Sequence, residues 1–257
     1  MRITHKEPTT TTTHISTENT SYEEFETYDP NVNYMLLMIK AVVKDDIEAL
    51  NNLIDKRNAK LKDAGLEGEI VDIEDFINSF EEYAGFEIDK DYMSEMIDAC
   101  VKGDVERGED AERCRNRKID FVYPDEKKID FNELYMLSKI ITAEAGSSWL
   151  SKEWKMMVGE VLLNRVDSFE YPDTLEECIF QKGQYSCVGA GTFEGIVPKE
   201  DCVIAAAELL RGVRLLNDKS VVYQAGFKQG SGVHTKLTDD ILGNTYLCYS
   251  SYREKYE

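Results

Sequence analysis

Residues 130–149 read DFNELYMLSKIITAEAGSSW, and the reading of this stretch decides the fold of the second half of the chain. Leu134, Leu137, Ile141 and Ala145 recur at helical spacing, which predicts a helix over 130–146. Glu144 lies seven, four and three residues after Leu137, Ile140 and Ile141, so its carboxylate emerges on or beside the apolar face. An acidic group there must be paired, protonated or set in a cleft. Arg165 and Lys139 are the candidate partners if Glu144 is a structural acid.

Further along, helical patterning predicts elements over 149–167 and 199–217, with Ser151 as the cap of the first. SVVYQAGF (220–227) and GNTYLCYS (243–250) are β-branched and aromatic runs bounded by glycine, and they are read as strands. KQGSGVHTK is read as a Gly/Ser-rich loop. The expected class is therefore α+β, with helices dominant.

Upstream the chain repeats itself. Tyr34-Met-Leu-Leu-Met-Ile-Lys-Ala is matched by Tyr92-Met-Ser-Glu-Met-Ile-Asp-Ala. The pairs Met38/Met96, Ala41/Ala99, Asp46/Asp104, Arg57/Arg115, Asn58/Asn116 and Lys60/Lys118 keep the same offset of 58. Each copy reads as an apolar helix, a tight Lys-x-Asp turn and a charged second helix, with an amphipathic helix over 70–83 between the copies. The expected division is a disordered Thr-rich tail (1–28), a small all-α repeat module (29–125) and a second, α+β domain (126–257).

Composition narrows the function. The net charge is −20, from 30 basic and 50 acidic residues. Residues 131–257 hold 13 Lys+Arg against 18 Asp+Glu, so the acidity belongs mainly to the first half. Nucleic acid is excluded as a partner, since phosphate binding needs a basic stripe. No apolar run reaches the roughly 20 residues that span a bilayer. The six cysteines form no CxxC pair, and His5 and His14 lie in the polar tail, so neither a zinc ribbon nor a protein-built catalytic zinc site is expected.

The second half presents ITAEAG (141–146), VLLNRV (161–166), IFQKGQYSCV (179–188), an alanine-rich helix, VVYQ (221–224) and GNTYLC (243–248) in that order. This series resembles the SleB-like cell wall hydrolases, which include the spore-cortex-lytic enzymes, over residues ~133–250. The resemblance implies a lysozyme-like fold and cleavage of peptidoglycan glycan strands between N-acetylmuramic acid and N-acetylglucosamine, usually by lytic transglycosylation. No cofactor and no metal is implied. The family's single catalytic glutamate maps onto Glu144. Gln184, Tyr185, Ser186, Tyr223 and Gln224 are the expected substrate-binding residues. The resemblance also implies that Cys187 and Cys248 lie close enough for a disulfide. YQAGF at 223–227 departs from the Tyr-Asn-Pro-like stretch of many relatives.

The residues agree with an acid at Glu144. Apolar neighbours and the negative end of a helix both favour its protonated form, and a general acid needs that form near neutral pH. Glu160, one turn before Asn164, is the reserve candidate for a second acid, whereas Asn164 is expected to bond a neighbouring loop. A rival class uses Cys187 as nucleophile with His234 as base, cutting wall peptides. A third reading is a non-catalytic wall-binding protein. The repeat module is either a packing scaffold or a docking module whose partner is unknown. The N-terminal stretch lacks a signal peptide's apolar core, so two routes to the wall stay open: a phage-borne enzyme, or a leader trimmed from the sequence.

Overall fold

The computed structural model describes residues 33–67 and 70–256; the Thr-rich tail lies outside the described residues. The chain divides into two compact units, 1–73 and 74–257. In the first, α1 (Tyr34–Val43) and α2 (Ile47–Asp63) form the first repeat. Met38, Ala41, Leu50 and Leu53 are buried there. Asp46 caps α2 by accepting from the Ala49 amide at 2.9 Å. Asn58 pairs with the backbone of Val71, donating to its carbonyl at 2.6 Å and accepting from its amide at 3.3 Å.

The second unit opens with α3 (Ile73–Ala84), followed by the second repeat, α4 (Tyr92–Lys102) and α5 (Val105–Val122). The two copies share their turn. Asp45 has φ 54° and Gly103, at the matching position, has φ 66°. A left-handed residue is needed there, which glycine adopts freely and aspartate tolerates.

The remaining elements are α6 (Phe131–Ala145), α7 (Lys152–Val166), α8 (Leu175–Phe180), α9 (Ser186–Gly189), α10 (Glu200–Leu210), β1 (Val221–Ala225), β2 (Gly232–Asp239) and β3 (Gly243–Tyr249). The fold is α+β and helix-dominated. Asp130 caps α6 through the Glu133 amide, and Ser151 caps α7 through the Trp154 amide, the latter as expected. The core lies where α6, α7 and α10 meet. At Gly159 an added Cβ would stand 2.6 Å from Leu209 Cδ1 and 2.7 Å from Ile141 Cδ1, so the missing side chain sets the spacing of three helices. α7 is buried on nearly every side, including Lys155, Glu160, Asn164 and Arg165.

The three strands form an antiparallel sheet in the order β1-β3-β2. β2 is a strand where the sequence reads as a loop. Its glycine, histidine and lysine carry little strand propensity, and pairing with β3 along the hairpin is what makes it one. The predicted helix over 199–217 stops at Leu210, and α8 is too short to show a helical period.

The second repeat packs on α6 within one compact unit. Gly108 of α5 meets the ring of Phe131, the first residue of α6, which is 1% exposed. Glu112 accepts the Phe131 amide at 2.8 Å. The apolar face of the second hairpin is thus covered by the helix that carries Glu144.

Candidate active site

Glu144 sits one residue before the end of α6. Its side chain is open to solvent, yet protein atoms crowd around it on the remaining sides. That crowding raises its pKa above the ordinary 4.5, and the charge of Arg165 acts in the opposite direction. Among the described residues, its carboxylate has no hydrogen bond and no ion pair. The two structural partners suggested by sequence are engaged elsewhere. Lys139 donates to the Glu194 carbonyl at 3.2 Å and lies 4.9 Å from the centre of the Phe193 ring.

The helix end contributes less than the sequence suggests. Lys199 donates its ammonium to the Gly146 carbonyl, and its amide donates to Thr142 Oγ1 at 3.2 Å, so the negative end of α6 is answered by a cation. Gly146 is not left-handed, with φ −76°. It is glycine because a Cβ would lie 2.2 Å from the Thr142 carbonyl oxygen.

Arg165 organises the surroundings. Its guanidinium is 5% exposed, with Nε donating to the Val222 carbonyl at 2.7 Å and Nη1 donating to the Tyr185 hydroxyl at 3.2 Å. It lies 5.5 Å from the ring centres of both Tyr171 and Tyr185. Asn164 donates to the carbonyls of Val221, at 3.1 Å, and Asp218, at 3.2 Å. β1 slips register between Val221 and Tyr223, which frees the Val222 carbonyl from the ladder for Arg165. The LNRV segment is thus the clamp that holds the sheet to α7.

Residues 151–236 match the family described as Cell Wall Hydrolase. The match runs from the cap of α7 into β2 and takes in Asn164, Arg165, Tyr171, Tyr185 and Tyr223. This segment is a SleB-type cell wall hydrolase domain. Curated proteins and solved structures return no match to the chain. Glu144 lies upstream of the matched residues and reaches the hydrolase domain through the packing of α6 on α7.

From α6, Glu144 bears electrostatically on Tyr185 and Cys187, and Tyr223 bears on Tyr171; Glu144, Tyr171 and Tyr185 all feel the charge of Arg165. Tyr185 is buried, its hydroxyl holds Arg165, and burial pushes its pKa up to about 12. Ser186 is exposed, while Gln184, Tyr223 and Gln224 are half-buried. Tyr171 was not anticipated; its position beside Pro172 gave no signal of a contact with Arg165.

Glu160 is a structural carboxylate. It is 1% exposed and accepts the amides of Leu215, at 2.7 Å, and Leu216, at 3.1 Å, holding the loop after α10. The Cys187–His234 pair is not formed either. His234 shares a 2.7 Å hydrogen bond with Thr235 and lies edge-on to Tyr249, and no bond joins it to Cys187. Burial and the Glu144 charge raise the Cys187 pKa, which opposes a thiolate. All six cysteines are free, so the expected Cys187–Cys248 disulfide is absent; Cys248 is fully buried in β3, whereas Cys187 is half-exposed on α9.

Proposed function

We propose that the hydrolase domain cleaves the peptidoglycan glycan strand between N-acetylmuramic acid and N-acetylglucosamine, with Glu144 as its single acid–base group and lytic transglycosylation as its route. The observation that carries this reading is a carboxylate with no hydrogen bond or ion pair among the described residues, accessible to solvent, whose surroundings favour the protonated form. Protonated Glu144 gives its proton to the glycosidic oxygen as the bond to the muramoyl C1 breaks. The resulting carboxylate takes the proton of the muramoyl 6-hydroxyl, whose oxygen closes on C1 to leave a 1,6-anhydro end. One residue serves both halves of the reaction. In this reading Gln184, Ser186, Tyr223 and Gln224 bond sugar hydroxyls, and Arg165 and Tyr185, which are hydrogen-bonded to each other, support them.

The intramolecular route is preferred over hydrolysis because a hydrolase normally needs a second carboxylate about 5–9.5 Å away. Burial raises the Glu144 pKa, and the charge of Arg165 acts in the opposite direction. Glu160 is bonded to backbone amides.

Mass spectrometry of fragments released from purified peptidoglycan tests the reading. The wild-type chain should release anhydro-muropeptides, and Glu144→Gln should lower their rate by at least roughly 10²–10⁴-fold with the fold intact. New reducing ends without anhydro sugars would refute the intramolecular route. New free amino groups, or a Glu144→Gln protein that still releases the same fragments, would refute the glycan mechanism.

A further inference from the structure

The second repeat borders an open cavity of about 350 Å³ between the start of α4, the later turns of α5 and Arg211 at the end of α10. Glu144, Arg165 and Tyr185 do not line it. Its charges are unevenly matched. Arg115, 5% exposed, pairs with Glu126 and donates to the Lys127 carbonyl. Asp91 is engaged as the cap of α4, bonded to Ser94 and to the Met93 amide. Among the described residues, Lys118 donates to the carbonyls of Ile88 and Lys90 and forms no ion pair. The Arg211 guanidinium has no hydrogen bond or ion pair among the described residues, although its charge acts on both Asp91 and Arg115. Among the described residues neither Lys118 nor Arg211 is bonded to a carboxylate, although Asp89, Asp91 and Glu126 line the same cavity and the Arg211 charge acts on Asp91.

The repeat supplies an independent observation. Tyr92, Arg115 and Lys118 all line the cavity, and each has an identical counterpart in the first copy, at Tyr34, Arg57 and Lys60. Most of the surface around them has diverged; Ser94, Glu95 and Asp98 replace Leu36, Leu37 and Lys40. Buried packing accounts for the retained Met38/Met96 and Ala41/Ala99, and helix capping for Asp46/Asp104. It does not account for a lysine that ends on two carbonyls beside an open cavity. In the first copy the same lysine lies 4.3 Å from the centre of the Tyr34 ring. Arg211 comes from α10 and has no counterpart in the first copy, so the complete set belongs to the second.

We propose that this cavity is a binding site for a small carboxylate ligand with an apolar body, of the size of a dipeptide. Lys118 and Arg211 meet the carboxylate, while Tyr92, Tyr123 and Ile119 cover the body. A volume of about 350 Å³ suits such a ligand, since a pocket of roughly 300 Å³ already accommodates a small molecule. Arginine offers a fork of donors that matches a carboxylate, and lysine adds a point charge. The site is separate from Glu144, so it would recruit or sense a ligand without taking part in glycan cleavage.

Isothermal titration of the full chain with alanyl-alanine, and separately with inorganic phosphate, tests the assignment. Alanyl-alanine should bind saturably with one site per chain, and more weakly as salt is raised. Arg211→Ala and Lys118→Met should each weaken it by about tenfold or more; Arg211 is exposed, so its variant keeps the fold, as circular dichroism would verify. The Glu144→Gln chain should bind unchanged, which separates this site from the catalytic one. No saturable binding, binding that ignores both variants, or binding of phosphate alone would overturn the proposal.

Discussion

Replacing Gly108 by alanine tests whether the second repeat is part of the catalytic unit. An added Cβ would lie 2.0–2.4 Å from three atoms of the Phe131 ring. The ring has little room to withdraw, being 1% exposed and stacked 6.0 Å from Tyr135 at an interplanar angle of 8°. Overpacking of this kind costs about 1–3 kcal/mol, and the depth of this overlap puts it near the upper end. Alanine also favours helix over glycine, by up to about 1 kcal/mol. The net expectation is a loss of about 2 kcal/mol, or ~4–8 °C in the unfolding midpoint of a unit this large. Both tryptophans, Trp149 and Trp154, lie in the second unit, so their fluorescence reports its melting. Phe131→Leu in the same chain should recover part of the loss, because the two sites are in contact. The sign decides the matter. If α5 stood free of α6, the helix preference alone would remain, and a raised midpoint in Gly108→Ala would refute the packing described.

Residues 74–257 alone should fold and clear a peptidoglycan suspension, whereas 126–257 should lose solubility or most activity, because removing α4 and α5 uncovers Phe131 and Leu134; equal activity of the two fragments would contradict the unit boundary. Glu160→Gln should cost about 1–2 kcal/mol, since it leaves a buried amide short of an acceptor, while turnover per folded molecule stays within a few-fold. A far greater loss of turnover would return Glu160 to the reaction. The raised pKa of Glu144 means that the folded chain holds its proton above the ordinary 4.5. Between that value and the raised one, the folded state binds more protons than the unfolded, so the wild type loses stability as pH rises through this window. Glu144→Gln lacks that loss, and its urea midpoint relative to wild type should improve from pH 4 to pH 8. A relative decline would show a carboxylate stabilised by its surroundings.

The sequence by itself determined the elements whose burial follows from local spacing. α6 and α7 were legible because their apolar residues recur with the helical period, and Ser151 announced the start of α7. β1 and β3 were legible as β-branched runs between glycines. The repeat was legible because nine matches kept one offset, and Glu144 stood out as an acid on an apolar face. Only the tertiary structure decided which surfaces those faces meet. The apolar side of the second hairpin has the same periodicity whether it covers another module or α6, so the unit boundary could not be read from it. β2 became a strand through its pairing with β3. Arg165 and Glu160 are both charges on one central helix, and their sequence neighbours do not separate their roles. What separates them is long-range: Arg165 finds the carbonyl left free by a slip in β1 and a tyrosine hydroxyl, and Glu160 finds two amides after α10. A buried charge takes its role from the groups that satisfy it, and those groups lie 20 to 57 residues away along the chain.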